Sequence, residues 1–386
     1  MRSRDTPAAR LQSQQTSHAV ASPGGERRGG DSIDLAHRRL ISQQIAVHAS
    51  NTPAEIVAAL GAVQAQDYAG GKWAIALRLP HATDEGIEHA IVDRTIVRTW
   101  PMRGTLHFVA AADVRWLLDL LAPRMIARAA ARHRQLELDD ATFSRARRVV
   151  TKALEGGRQL TRDALYRALE EAHVPVGPHA TGERRGFHIL WRLAHERLIC
   201  FGARGGKQQT LVLLDEWLGP PPPPLSRDEA LAMLAERYFT AHGPATVADF
   251  TWWSSLAAAE ARRALDIIKP RFQSEVLDGA TYWFANQTRP SRSRRAVAHL
   301  LPPYDEYLVG YRDRSAALDP AHSDQAPTLL SPTIVIGGRV VGTWGRTFAA
   351  NSVTLSLHAF RPLTSAEQTA VSEATRRYAD FLDLPL

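Results

Sequence analysis

The stretch Ile96-Val97-Arg98-Thr99-Trp100-Pro101-Met102-Arg103-Gly104-Thr105-Leu106-His107-Phe108-Val109 decides the reading of the fold. Two runs rich in β-branched and aromatic residues flank a turn that ends in glycine, the pattern of a β-hairpin. Helical signals precede it. A helix is expected over 35–49. Thr52-Pro53-Ala54-Glu55 is a capping box with proline at the first helical position, opening a helix to residue 63. A turn through Gln64-Ala65-Gln66, a helix over 72–79 and another starting at Thr83 complete the unit. Helices followed by a hairpin are the plan of a winged helix-turn-helix, which places a helix in a DNA groove and a wing on the backbone. Units of this shape also serve as packing or dimerisation modules.

The theme recurs downstream. Helices over 114–131, 143–154, 162–172 and 183–197 lead to strands at 198–201 and 209–214, joined by Gly202-Ala203-Arg204-Gly205-Gly206. After the run Pro220–Pro224, Ser226-Arg227-Asp228-Glu229 caps a helix to residue 241. Helices over 246–253 and 257–268 follow, then a hairpin over 272–284 turning at Asp278-Gly279. Past residue 293 the pattern changes to strands, at 308–312, 333–336, 339–343 and 352–360, with a long loop over 316–330 and a last helix capped at Thr364. The expected fold is α+β. A disordered tail (1–32) precedes winged-helix units over 33–112, 113–219 and 225–290. A small β-barrel with a closing helix occupies 293–386.

The chain has 386 residues, 45% hydrophobic and 23% charged, an ordinary globular balance long enough for several domains. Its net charge of +7 and pI near 9.8 suit an anionic partner such as nucleic acid. Arginine supplies nearly all of that charge, with lysine only at Lys72, Lys152, Lys207 and Lys269, so a genome-wide arginine and alanine bias is the plainer explanation of the charge taken alone. Cys200 stands alone, excludes an internal disulfide and reads as a small core residue, consistent with a reducing cytosol. No apolar run reaches the roughly 20 residues a membrane span needs, and the N-terminus does not read as a signal peptide. Scattered histidines offer no zinc spacing, the glycines no phosphate loop, and there is no Gly-x-Ser-x-Gly nucleophile elbow.

Gly61-Ala62-Val63-Gln64-Ala65-Gln66-Asp67-Tyr68 carries the chemistry. On a helix, i and i+2 diverge; in extended backbone they project to one side. Two amides just past a helix, followed by Asp67, Tyr68 and Gly70-Gly71, form a polar claw. Amides do not titrate at neutral pH but hold a water or read a base edge. A solvated helix terminus is the plainer alternative.

Four stretches together resemble the AlkZ-like and YcaQ-like DNA glycosylases, tandem winged-helix proteins ending in a β-barrel. Val63-Gln64-Ala65-Gln66-Asp67 is similar to that family's Gln-x-Gln motif, which is Gln-x-Asp in the YcaQ branch. Arg98 through His107 is similar to its Arg-Gly-Thr-x-His hairpin. Leu301-Pro302-Pro303-Tyr304-Asp305-Glu306-Tyr307-Leu308 is similar to its Tyr/Phe-Asp signature, and Gly338-Arg339-Val340-Val341-Gly342-Thr343-Trp344 to its Gly-x-Trp strand. The resemblance covers residues 35–386. It implies a monofunctional glycosylase that hydrolyses the N-glycosidic bond of N7-alkylated purines and unhooks interstrand crosslinks, acting as a cytoplasmic, nucleoid-associated monomer on double-stranded DNA without cofactor or metal.

N7-alkylation makes the base a cation and a good leaving group, so the enzyme needs an oriented water and negative potential near an oxocarbenium-like sugar. Gln64 and Gln66 are assigned the water. The base is open among Asp67, Asp305 and Glu306, with a helix cap the alternative for Asp67 and a surface pair for the other two. Phosphate contacts are expected from Arg103, Arg184, Arg185, Arg192, Arg204 and Lys207, against a solvated basic face for each. His107 is expected at the lesion or as a hydrogen-bonded hairpin residue. Tyr68 and Trp73, with Trp252 and Trp253, are candidates to stack on a displaced base, against core packing. The alternative functions are a non-catalytic winged-helix regulator and a protein that sequesters the alkylating agent itself.

Overall fold

The computed structural model describes residues 29–177, 185–286, 296–319, 321, 331–349 and 351–386, and side chains from residue 35 onward. Most of the predicted N-terminal tail, Arg184 and much of the loop over 316–330 lie outside it. The first helix, α1 (Gly29–Ser42), begins within the stretch expected to be tail. Helix α2 (Pro53–Leu60) starts as the capping box dictates: the Thr52 hydroxyl accepts from the Glu55 N–H at 3.2 Å and Glu55 accepts from the Thr52 N–H at 3.3 Å. Strand β1 (Val63–Gln64), α3 (Tyr68–Ala76) and α4 (Asp84–Val92) lead to the hairpin of β2 (Ile96–Met102) and β3 (Thr105–Ala110). Helix α3 starts four residues before the expected position, drawing Tyr68 into its first turn.

Next come α5 (Val114–Gln135), α6 (Asp140–Leu154), β4 (Leu160–Thr161), α7 (Arg162–Glu171) and α8 (Arg185–His195). They precede β5 (Ile199–Phe201), β6 (Thr210–Leu213) and α9 (Leu214–Leu218). The third set is α10 (Arg227–Ala241), α11 (Val247–Ser254) and α12 (Ala258–Ile268), then the hairpin of β7 (Gln273–Leu277) and β8 (Ala280–Phe284). Three hairpins thus follow three groups of helices in a mixed α+β chain.

The first two hairpins are parts of one sheet of order β1-β3-β2-β5-β6-β4. The seam is the pairing of Arg98 on β2 with Phe201 on β5. Cys200 beside it is fully buried, and burial pushes its thiol pKa up.

The C-terminal region differs from the expected barrel. Strands β9 (Ala298–Leu301), β10 (Thr333–Ile336), β11 (Arg339–Phe348) and β12 (Val353–Ala359) form an open sheet of order β12-β11-β10-β9. Its edge strands do not meet. Four strands enclose too small a circumference for a filled barrel, and the sheet buries its face against other elements instead. Helix α14 (Ser365–Leu382) packs on β9, and Trp73 of α3 donates its indole N–H to the Leu300 carbonyl at 2.6 Å. The strand expected over 308–312 is also absent. Residues Glu306–Val309 form a short helix, α13, because the Asp305 carboxylate caps it by accepting from the Tyr307 N–H at 2.9 Å.

One apolar core joins α2, α3 and α4 to β9–β11 and α14. A second joins β2, β3 and α5 to α10–α12, and a third lies among α6–α8, β5 and β6. Segments distant in sequence are therefore held by common burial, which carries Glu306 beneath β1.

Candidate active site

Antiparallel pairing of β1 with β3 sets Gln64 opposite His107. Nδ1 of His107 lies 2.9 Å from the Thr105 carbonyl, so it carries the proton and Nε2 presents a lone pair. Arg103 Nη2 donates to that Nε2 at 2.9 Å and to Oε1 of Gln64 at 3.0 Å, and Nη1 donates to the Trp253 carbonyl at 2.9 Å. Burial and the Arg103 charge pull the His107 pKa down to about 3, keeping the ring neutral. Arg103 and Gly104 both have positive φ, 55° and 71°, the backbone of a two-residue type I′ hairpin turn. The left-handed arginine is held by its three side-chain contacts. It is 14% exposed and is an internal brace for Gln64.

An arginine has no acceptor, so Gln64 must face it with its oxygen. The same logic fixes Gln66, whose Oε1 accepts from the Leu106 backbone N–H at 3.3 Å. Both amides thus have their orientation set by pure donors, and each oxygen retains a second lone pair. Arg98 fixes the backbone between them: its Nε and Nη2 donate to the Ala65 carbonyl at 3.1 and 2.8 Å. Its guanidinium also lies over Tyr68 and Phe201. Burial lowers the Arg98 pKa to about 10, so it stays charged at neutral pH.

Glu306 lies fully buried under this layer. It accepts from the Gln64 backbone N–H at 3.1 Å and the Trp253 indole N–H at 2.8 Å. It also stands 3.5 Å from His242 Nε2 and 3.8 Å from Arg103 Nη2. Burial alone would raise its carboxyl pKa; His242 and the Arg103 charge outweigh burial and hold it at about 2. The neighbouring Asp305 faces elsewhere. It forms a sealed two-point pair with Arg78, at 2.9 and 2.7 Å, and so braces the turn after α3 against α13.

Gln64 is 6% exposed, whereas Gln66 is exposed and lines a cavity of about 450 Å³. Trp100, Leu106, Tyr166, Phe187 and Phe201 supply most of its apolar surface, and Arg98, Arg162, Asp163, Gln208 and Gln209 its other polar groups. The joined hairpins form one side and α7 and α8 the other. Asp67 occupies the N-cap position of α3 without capping it; its carboxylate, 33% exposed, accepts from Arg346 at 3.3 Å.

Other expected contacts fall differently. Trp73 is a core residue, 3% exposed against Tyr378 and Phe381. Trp253 is sealed over Glu306, while Trp252 is 43% exposed. Tyr68 donates its hydroxyl to Glu88 at 2.8 Å, and burial raises its pKa. Arg185 is spent on the carbonyls of Pro175, Leu136 and Glu137, because it locks the start of α8. Arg192 pairs with Glu196 at 2.5 Å. Arg204 pairs with Glu88 at 3.4 Å, and Lys207 is exposed on the β5–β6 turn. Sequence reasoning missed Arg98 and His242 as site residues. A lone cation in the apolar run Ile96–Trp100 was a signal for Arg98; His242 had none, since only folding brings it to Glu306.

One oriented amide, Gln66, opens onto an aromatic cavity and the other, Gln64, lies buried beside it, in a chain whose relatives place it in the class of base-excising enzymes. The chain belongs to the AlkZ-like DNA glycosylase family, whose sequence profile matches residues 57–381, and is a hydrolase of N-glycosidic bonds in DNA. Among its relatives, the interstrand DNA cross-link repair glycosylase of Streptomyces sahachiroi is 26% identical over 312 residues, covering 75% of this chain and 81% of that protein. The solved structure of Streptomyces sahachiroi DNA glycosylase AlkZ superposes with a TM-score of 0.74 at 22% identity, covering 92% of this chain and 98% of that one. That likeness establishes the shared fold.

Proposed function

We propose that the chain excises N7-alkylated purines from double-stranded DNA, including purines joined in an interstrand crosslink. The observation that carries this reading is the pair of amides on one extended segment, each oriented by a pure donor, with Gln66 opening onto the aromatic cavity. The cavity takes the displaced base between apolar and aromatic walls. The alkylated base leaves with its bonding electrons and is neutralised by them, so no general acid is required. The free lone pairs of Gln64 and Gln66 accept from a water and aim its oxygen at the sugar carbon. Asp67 is the carboxylate of the three with solvent access, and it takes the proton as the water adds. Glu306 is a positioning residue that acts through Gln64 and Arg103.

Release of N7-methylguanine from methylated duplex tests the reading. Gln64→Ala and Gln66→Ala are each expected to slow release about 100-fold while duplex affinity stays within about threefold. Wild-type protein that frees no base from either methylated or crosslinked duplex defeats it.

A further inference from the structure

A second cleft, of about 580 Å³, shares no lining residue with the aromatic cavity. The β2–β3 hairpin contributes to both: Leu106 to the cavity, Arg103 and Gly104 to the cleft. Arg124 and Arg128 of α5 line it opposite Trp252. No carboxylate among the described residues lines it. Arg124 and Arg128 are exposed and make no hydrogen bond or ion pair among the described residues, whereas most of the arginines expected to meet DNA are committed to internal partners. They lie one turn apart on one face of α5, and Arg132, exposed and among the described residues bonded only to Gln135, continues the row. Eight residues of helix make this cationic row about 12 Å long. Trp252 holds its indole N–H on the Val309 carbonyl at 3.2 Å, which leaves its exposed ring as a fixed apolar wall beside the row.

We infer that this cleft and the Arg124–Arg128–Arg132 row bind the phosphodiester backbone of duplex DNA. The occupant follows from charge: unpaired guanidiniums in a carboxylate-free groove match a polyanion, and phosphate contacts need no base sequence. The inference rests on the DNA-acting reading above and adds the track on which the duplex lies. Because the β2–β3 turn closes one end of the cleft and braces Gln64, a backbone seated there is registered against the amides.

The experiment measures binding of an undamaged duplex against salt concentration for the full chain, for Arg124→Ala/Arg128→Ala, and for Arg262→Ala/Arg376→Ala, which removes the same charge from exposed positions elsewhere. The first double variant is expected to bind roughly tenfold or more weakly near physiological salt. Its plot of log K against log salt should be shallower by about 2, near 0.9 per lost phosphate contact. The control pair should keep the wild-type slope. An unchanged slope in Arg124→Ala/Arg128→Ala, or an equal fall in the control, overturns the inference. Duplex binding that depends on the two arginines in a protein that releases no base sinks the excision reading and leaves the cleft standing.

Discussion

Glu306 shows how one buried charge organises several neighbours. Its carboxylate is engaged by the Gln64 backbone, the Trp253 indole, His242 and Arg103, so its loss would take the negative charge from all four of these buried partners. Glu306→Gln keeps the shape and removes the charge. We expect a loss of about 3 kcal/mol in stability by chemical denaturation, and base release reduced more than duplex affinity because Arg103 is freed to leave Gln64. A variant with wild-type stability and turnover would remove Glu306 from the site's support. The motif Tyr304-Asp305-Glu306 was legible in the sequence as a place where acids matter, but adjacent residues point to different partners. Asp305 turned to Arg78 and Glu306 to Gln64, a division set by the short helix that Asp305 caps.

At the scale of elements, the segment between the glutamines is clamped from both sides. Arg98 of β2 holds the Ala65 carbonyl, and Gly71 of α3 lets the helix approach closely: a Cβ there would stand 3.0 Å from Ala65 Cα and 3.1 Å from the Phe108 ring. Gly71→Ala should therefore push α3 away from Ala65 and the Phe108 ring of β3 by a few tenths of an ångström. The expected outcome is a fall in base release of about tenfold or more, with a melting temperature lowered by only a few degrees; full activity would show that this approach is not needed. Capping boxes at Thr52, Ser226 and Thr364 placed three helices correctly from sequence, because capping is a local bargain between side chain and backbone. The join of β2 to β5 was not legible, since pairing between hairpins about 100 residues apart depends on how the helices behind them pack.

For the whole molecule, burial of histidines sets an acid limit. Burial, first among the causes, holds His107 and His299 near pKa 3 and His195 near 4, against about 6.5 when unfolded. Below that value the unfolded chain takes up protons that the folded chain refuses, so stability rises with pH through the window from about 4 to 6.5 and is lost on acidification. The three together should cost about 4 kcal/mol between pH 7.5 and 5.5. Glu306 adds to this only below its ordinary range, as pH falls toward 2. Thermal unfolding followed from pH 7.5 to 5.5 should show a steep decline. His299→Leu should flatten it by one proton's worth, since His299 is 3% exposed and outside the site. A melting temperature independent of pH across that range would contradict the account.

The sequence by itself determined what is local: the capped helix starts at Thr52, Ser226 and Thr364, the three hairpins and the family to which these motifs belong. Each of these is fixed by interactions spanning a few residues. Tertiary structure alone decided that the C-terminal sheet stays open, that Trp73 is core, that Arg103 braces Gln64, and that Glu306 reaches it across 242 residues of chain. Those outcomes follow from which apolar faces bury one another and from which buried charges then find partners, and neither is written in any short stretch of the chain.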